Sequence, residues 1–276
     1  MSGAIDIGYP QLALALLFVL LGGFASMKLR LGLERDLLWG AVRTISQLAL
    51  MAVVLTWVFR IQLWYVVLSI YTLMILFAAR IIRGRVRSTT VRYFIPTFIS
   101  MLLSYMLVSY FVLDIIVQVR PWYRPEYFLP IGGMVIGNSM NAIAIALDRL
   151  FSELLRRRGE VELLLCLGAT GKEASASMFR DAVKAGMIPS INSMMGVGLV
   201  FIPGMMTGQI LAGSDPLVAV KYQIMVMLMM VGSTAAGSVL VVSLVQRRCF
   251  SEDHRLIVRP AEQAKRRSIL NWRGRS

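Results

Sequence analysis

"WYRPEYFLPIGGMVIGNSMNAIAIALDRL" occupies residues 122–150, and its reading decides the fold. From Phe128 to Leu147 it holds no Asp, Glu, Lys, Arg or His. Twenty such residues in a helix span about 30 Å, the thickness of a bilayer's hydrocarbon core. Inside this window stand Asn138, Ser139 and Asn141, and just past it comes the charged pair Asp148–Arg149. The stretch therefore reads as a membrane helix with amides at mid-depth that ends at a polar boundary.

Working outward, the whole chain repeats the pattern. Of 276 residues, 57% are hydrophobic, too many for a soluble domain of this length. Seven apolar segments are predicted as spans: 10–26, 37–58, 63–79, 93–113, 128–147, 188–211 and 222–245. The expected class is an all-α, polytopic membrane protein.

The charge of +14 is explained by its placement. Loops 27–36, 80–92 and 148–187 and the tail from 246 hold 24 Lys and Arg; the alternate loops hold four, and only Arg43 falls within a span. Cytosolic loops carry the basic excess. This predicts an N-terminus outside and a C-terminus inside, with the charge facing lipid headgroups and not nucleic acid. No basic n-region precedes the first span, so no cleavable signal peptide is expected. Cys166 and Cys249 fall on the cytosolic side and are expected to be free thiols.

Loop 148–187 is too long for a turn. Residues 149–167 read as one amphipathic helix, stopped by Gly168. Thr170 and Glu173 fit a capping box opening a second helix, with Ala174, Met178, Ala182 and Ala185 on one face. Gly186 is expected to loosen its end and Pro189 to start the next span. A two-helix insert with no enzyme motif either packs on its own bundle or docks a cytosolic partner.

The intramembrane polar groups allow two uses. Asn141 lies on a stripe with Gly133 and Gly137, where small residues let another helix approach and an amide can bond across. Asn138, Ser139, Asn192 and Ser193 either join that glue or line a substrate path. Arg43, with Gln47 one turn on, either snorkels to the headgroups or makes a buried contact. The glycines and Pro203 of the sixth span, and "GSTAAGS" (232–238), suit either tight packing or bending. "IPTFISM" (95–101) and "IPSINSM" (188–194) share four of seven residues, as expected if proline opens both helices.

Residues 122–150, "LGATGKEA" (167–174) and 188–230, with "RTISQL" (43–48), resemble the FetB-type permease family over about residues 10–247. Members are membrane subunits of small ABC exporters linked to iron, with plant relatives linked to aluminium tolerance. The resemblance implies a permease domain over 1–247 and leaves 248–276 as a basic cytosolic tail. It implies a bacterial inner-membrane location, a homodimer, export of iron with protection against iron overload and oxidative stress, and a separate cytosolic ATPase subunit that binds ATP-Mg. Glu162, six residues before Gly168, resembles the start of the coupling loop of ABC importers, although Leu163 and Leu164 replace its alanines. With Thr170 and Glu173 these residues are expected near the ATPase contact. "GATGKE" lacks the first glycine and the final Ser/Thr of a phosphate-binding loop, so neither a cofactor nor catalysis is expected on this chain. The spans offer no carboxylate, imidazole or thiolate for iron, and no metal site is expected. The competing class is an ATPase-independent channel or secondary carrier for a metal complex or other small solute.

Overall fold

A computed structural model describes residues 7–86, 91–251, 253 and 255–259. Among them the regular elements are helical: α1 (Tyr9–Lys28), α2 (Glu34–Ile61), α3 (Trp64–Arg85), α4 (Phe94–Tyr110), α5 (Pro125–Arg156), α6 (Arg158–Cys166), α7 (Gly171–Ala174), α8 (Ala176–Gly196), α9 (Gly204–Leu211) and α10 (Pro216–Arg247). A wider π turn, Phe111–Ile116, extends α4. Most of the tail predicted from 248 onward, residues 260–276, lies outside the described residues, as do Arg87 and His254.

Six of these helices are long and apolar enough to cross a membrane: α1, α2, α3, α4 with its π turn, α5 and α10. The predicted sixth span, 188–211, is not one helix. Its first half is the end of α8, its second half is α9, and residues 197–203 between them are unwound. Gly198 adopts φ +85° there, a conformation that glycine tolerates. Its N–H donates to the Phe201 carbonyl at 2.9 Å, closing a tight loop.

The core lies among α3, α4, α5, α8 and α10. Tyr71, Tyr105, Phe128 and Ile143 are fully buried in it. Glycine marks the closest approaches. A Cβ at Gly132 would stand 2.4 Å from the Tyr71 ring, and one at Gly186 would stand 2.7 Å from the Ala142 carbonyl oxygen. The tight stripe expected at Gly133 and Gly137 is displaced by this register. Gly133 faces only the end of the Met74 side chain, and nothing lies within 4 Å of a Cβ at Gly137.

The hairpin of α1 and α2 behaves differently. Ser26 and Val58 are its only buried residues among those described. Ser26 Oγ ties the turn, donating to Glu34 Oε1 at 2.8 Å and accepting from the Leu33 N–H at 3.0 Å.

The insert also differs from two short helices joined at a hinge. α5 continues to Arg156, and at about 48 Å it exceeds a hydrocarbon core by several turns. Arg149 and Arg156 hold the buried Glu153 in its last turns, at 3.0 and 2.6 Å. The chain then bends at Arg157 into α6. At the other side, α8 does not stop at Gly186 or restart at Pro189: it is continuous from Ala176 to Gly196 with Pro189 inside it. Proline removes one N–H from the helical ladder, but packing compensates. Met178, Ala182, Gly186 and Ser190, each four residues apart, form the buried stripe of α8.

Candidate functional site

At the centre of the bundle α5, α8 and α10 bring five polar side chains together. Asn138 Nδ2 donates to Ser190 Oγ at 3.0 Å and to Thr234 Oγ1 at 3.1 Å. Ser139 Oγ lies 3.3 Å from Thr234 Oγ1 and 3.5 Å from Ser233 Oγ. Ser190 Oγ donates to Thr234 Oγ1 at 3.5 Å, and Ser233 Oγ donates to the Met230 carbonyl at 3.0 Å. Ser139, Ser190, Ser233 and Thr234 are buried.

Around this cluster the hydroxyls are not fully satisfied. Ser100 Oγ and Ser238 Oγ are buried without a hydrogen-bond partner among the described residues. Each such group costs about 1–3 kcal/mol if left dry. The Tyr105 ring lies against Gly237, whose Cβ would stand 2.9 Å from Tyr105 Oη. One layer away, Tyr71 Oη and Ser109 Oγ pair at 2.9 Å. The set carries no formal charge. Hydroxyls and amides of this kind can bond across helices, order water or exchange weakly with a passing solute.

The predicted polar residues divide. Asn138 and Ser139 belong to the cluster. Asn141 does not: its Oδ1 accepts from Arg85 Nη1 at 2.6 Å, toward the basic end of α3. Asn192 is exposed and turned away from Ser190, and Ser193 is half-buried about one turn beyond Ser190. Arg43 and Gln47 are exposed on α2 and take no part in the cluster. Ser190, Ser233 and Thr234 were not singled out as site residues. The signal for Ser190 is its place four residues after Gly186 on the stripe of α8. Ser233 and Thr234 sit in "GSTAAGS", where small size concealed their polarity.

On the predicted cytosolic side, α6 and α7 form an elbow. Gly168 takes φ +92° and ends α6, its N–H donating to the Leu165 carbonyl at 3.1 Å. The capping box at Thr170 is present. The Thr170 N–H and Oγ1–H both donate to Glu173 Oε2 at 2.8 Å, and the Glu173 N–H returns to Thr170 Oγ1 at 3.3 Å. These donors hold the Glu173 carboxyl below its ordinary pKa. Glu162 accepts from Arg158 Nε at 2.7 Å on an exposed face. Leu163 and Leu167 are 60% and 75% exposed, so the elbow presents apolar surface.

Two contacts pin the elbow to the end of α10. Gln246 Nε2 donates to Ser175 Oγ at 2.8 Å in a buried position. The Phe250 ring covers Gly171, leaving no room for a Cβ. The adjacent Cys249 thiol donates to the Val245 carbonyl at 3.3 Å, and burial pushes its pKa up to about 12. It is a free thiol held in its neutral form, as is expected of a structural cysteine.

Residues 9–250 match the model of a family described as "Uncharacterised protein family (UPF0014)". The chain is 38% identical over 228 residues to the UPF0014 membrane protein slr1647 of Synechocystis, covering 83% of this chain and 88% of that one. It is 34% identical over 254 residues to the Probable iron export permease protein FetB of Escherichia coli, covering 92% and 96%. It is 30% identical over 232 residues to the Protein ALUMINUM SENSITIVE 3 of Arabidopsis thaliana, covering 84% of each. No solved structure matches the chain.

Proposed function

Since the chain belongs to the UPF0014 family, we propose that it is the membrane-spanning permease of an ABC exporter, driven by a separate ATPase subunit. One observation carries this reading: α8 is a single rod that joins the elbow to the buried polar cluster. From Ala176 to Ser190 it runs about 21 Å without a break. A force on the elbow is delivered directly to the contact of Ser190 with Asn138 and Thr234. The Gln246–Ser175 bond delivers the same force to α10, which supplies Ser233 and Thr234.

The exposed Leu163 of α6 and Leu167 just past its end would meet the ATPase, with Glu162, Gly168, Thr170 and Glu173 shaping the contact. Counted with the interrupted pair α8–α9 as one crossing, the chain passes seven times, N-terminus outside and C-terminus inside. The basic residues of the loops favour that orientation. The proposed assembly is a homodimer, in which a second copy packed on the exposed α1–α2 hairpin would cover Arg43 and Gln47. The membrane is the bacterial inner membrane. Iron is the proposed cargo, on the strength of the FetB relative's name. The cluster's neutral oxygens would hold it weakly, as a transported solute requires.

Co-purification with the ATPase tests the reading. Leu163→Asp with Leu167→Asp, on an exposed face, should leave the melting temperature unchanged and abolish ATPase capture. Full capture by the folded double variant would remove the elbow as the docking element.

A further inference from the structure

The interruption of the predicted sixth span opens onto a second site, one to two helical turns along α8 and α10 from the hydroxyl cluster. Where α8 ends, α9 begins and α10 passes, a cleft of about 390 Å³ is lined by Met194, Met206 and Met227, one from each helix. Gln223 also lines it, is 6% exposed, and its Oε1 has no hydrogen-bond partner among the described residues. The unwound backbone at Val197 and Gly198 completes the wall. Irregular backbone at membrane depth is tolerated where it lines a cavity, because its carbonyls need partners there. An orphan amide oxygen on a buried glutamine states the same need from the opposite wall.

The donor set has a definite chemical preference. Thioether sulfur is soft and uncharged, and it selects soft d10 cations over hard divalent ones. An amide oxygen adds one neutral ligand. With no carboxylate or thiolate in the lining, the site has no charge with which to trap a divalent ion. Such a set binds a weakly hydrated monovalent cation and releases it readily.

We propose that this cleft is a transit site for a soft monovalent metal ion of the Cu(I) class, held by Met194, Met206 and Met227 with Gln223 as the oxygen ligand. The site stands independently of the ATPase and of the iron reading.

Ag(I) binding to the purified full chain tests it, with no ATPase present. Cys166→Ser and Cys249→Ser first remove the competing thiols; a serine at 249 can still donate to the Val245 carbonyl. In that background, Met194→Leu, Met206→Leu and Met227→Leu together should weaken Ag(I) binding at least about tenfold. The control Met27→Leu with Met195→Leu, at exposed positions outside the cleft, should leave it unchanged. X-ray absorption should show a sulfur shell around the ion that the triple variant loses. If the triple variant does not fold, Gln223→Leu and Met227→Leu singly should each weaken binding. Unchanged Ag(I) affinity in the folded variants, or an equal loss in the control, would overturn the proposal.

Discussion

Gly186→Ala places one methyl group at the tightest contact between α5 and α8, and its consequence can be worked in ångströms. The new Cβ would lie 2.7 Å from the Ala142 carbonyl oxygen and 2.9 Å from Ala146 Cβ, where ordinary contact begins at 3.4 Å. The shortfalls are 0.7 and 0.5 Å. Neither neighbour can turn aside, since one is backbone and the other is a Cβ. The helices must therefore separate by about 0.7 Å here. Ser190 lies one turn further along the same stripe of α8. Its 3.0 Å bond from Asn138 would stretch to about 3.7 Å, past the limit of a hydrogen bond. Overpacking costs about 1–3 kcal/mol, and alanine returns about 1 kcal/mol of helix propensity. The net loss is about 0–2 kcal/mol, so stability falls little while the cluster's geometry is broken. On the proposed function, export in vesicles containing this chain and the proposed ATPase should fall steeply, with a small drop in melting temperature. Gly137→Ala, where nothing lies within 4 Å, should leave both intact. Equal export by the Gly186→Ala and Gly137→Ala proteins would refute the argument that the α5–α8 contact sets the cluster.

Other outcomes follow from the same geometry. Asn138→Ala should reduce export far more than Asn141→Ala, because Asn138 joins three helices and Asn141, among the described residues, pairs with Arg85 alone; vesicle flux compares them. Gly168→Ala forces a Cβ into φ +92° at a cost of about 1–2 kcal/mol, and should lower ATPase stimulation; Gly159→Ala, with open space around it, should not. Gln246→Leu strips Ser175 of its buried donor and should cost about 1–3 kcal/mol, seen as a lower melting temperature. The capping box gives a pH signature. Glu173's folded pKa is depressed, so its stabilisation is complete above the ordinary carboxylate value and is lost as pH falls through the folded one. Hydrogen-exchange protection at residues 171–174, taken relative to the intrinsic rate at each pH, should fall only below pH 4.5.

Much of this architecture is visible in the sequence because bilayers impose few rules. Uncharged runs marked the long helices, and short-range chemistry marked the Thr170–Glu173 box and the turn at Gly168. Tertiary packing was harder to read. Pro189 looks like a helix start, yet the stripe Met178–Ala182–Gly186–Ser190 is buried on two neighbours and carries α8 through it. The 188–211 run is apolar enough for a span, yet Gly196, Gly198 and Pro203 interrupt it. Periodicity alone gave Gly133–Gly137–Asn141 as the contact face. The actual close approach falls at Gly132 and across Ala142–Gly186, a register fixed by Tyr71 and by α8. The cluster itself depends on three helices, and a single helical pattern shows only one member at a time.

The central claim is that the force for transport enters through the elbow from another chain. Its most direct measurement is ATP-dependent Fe(II) transport in proteoliposomes, comparing this chain alone with this chain plus the proposed ATPase. The account predicts uphill flux only with both present, abolished by Leu163→Asp with Leu167→Asp. Uphill flux driven by the isolated chain would contradict it.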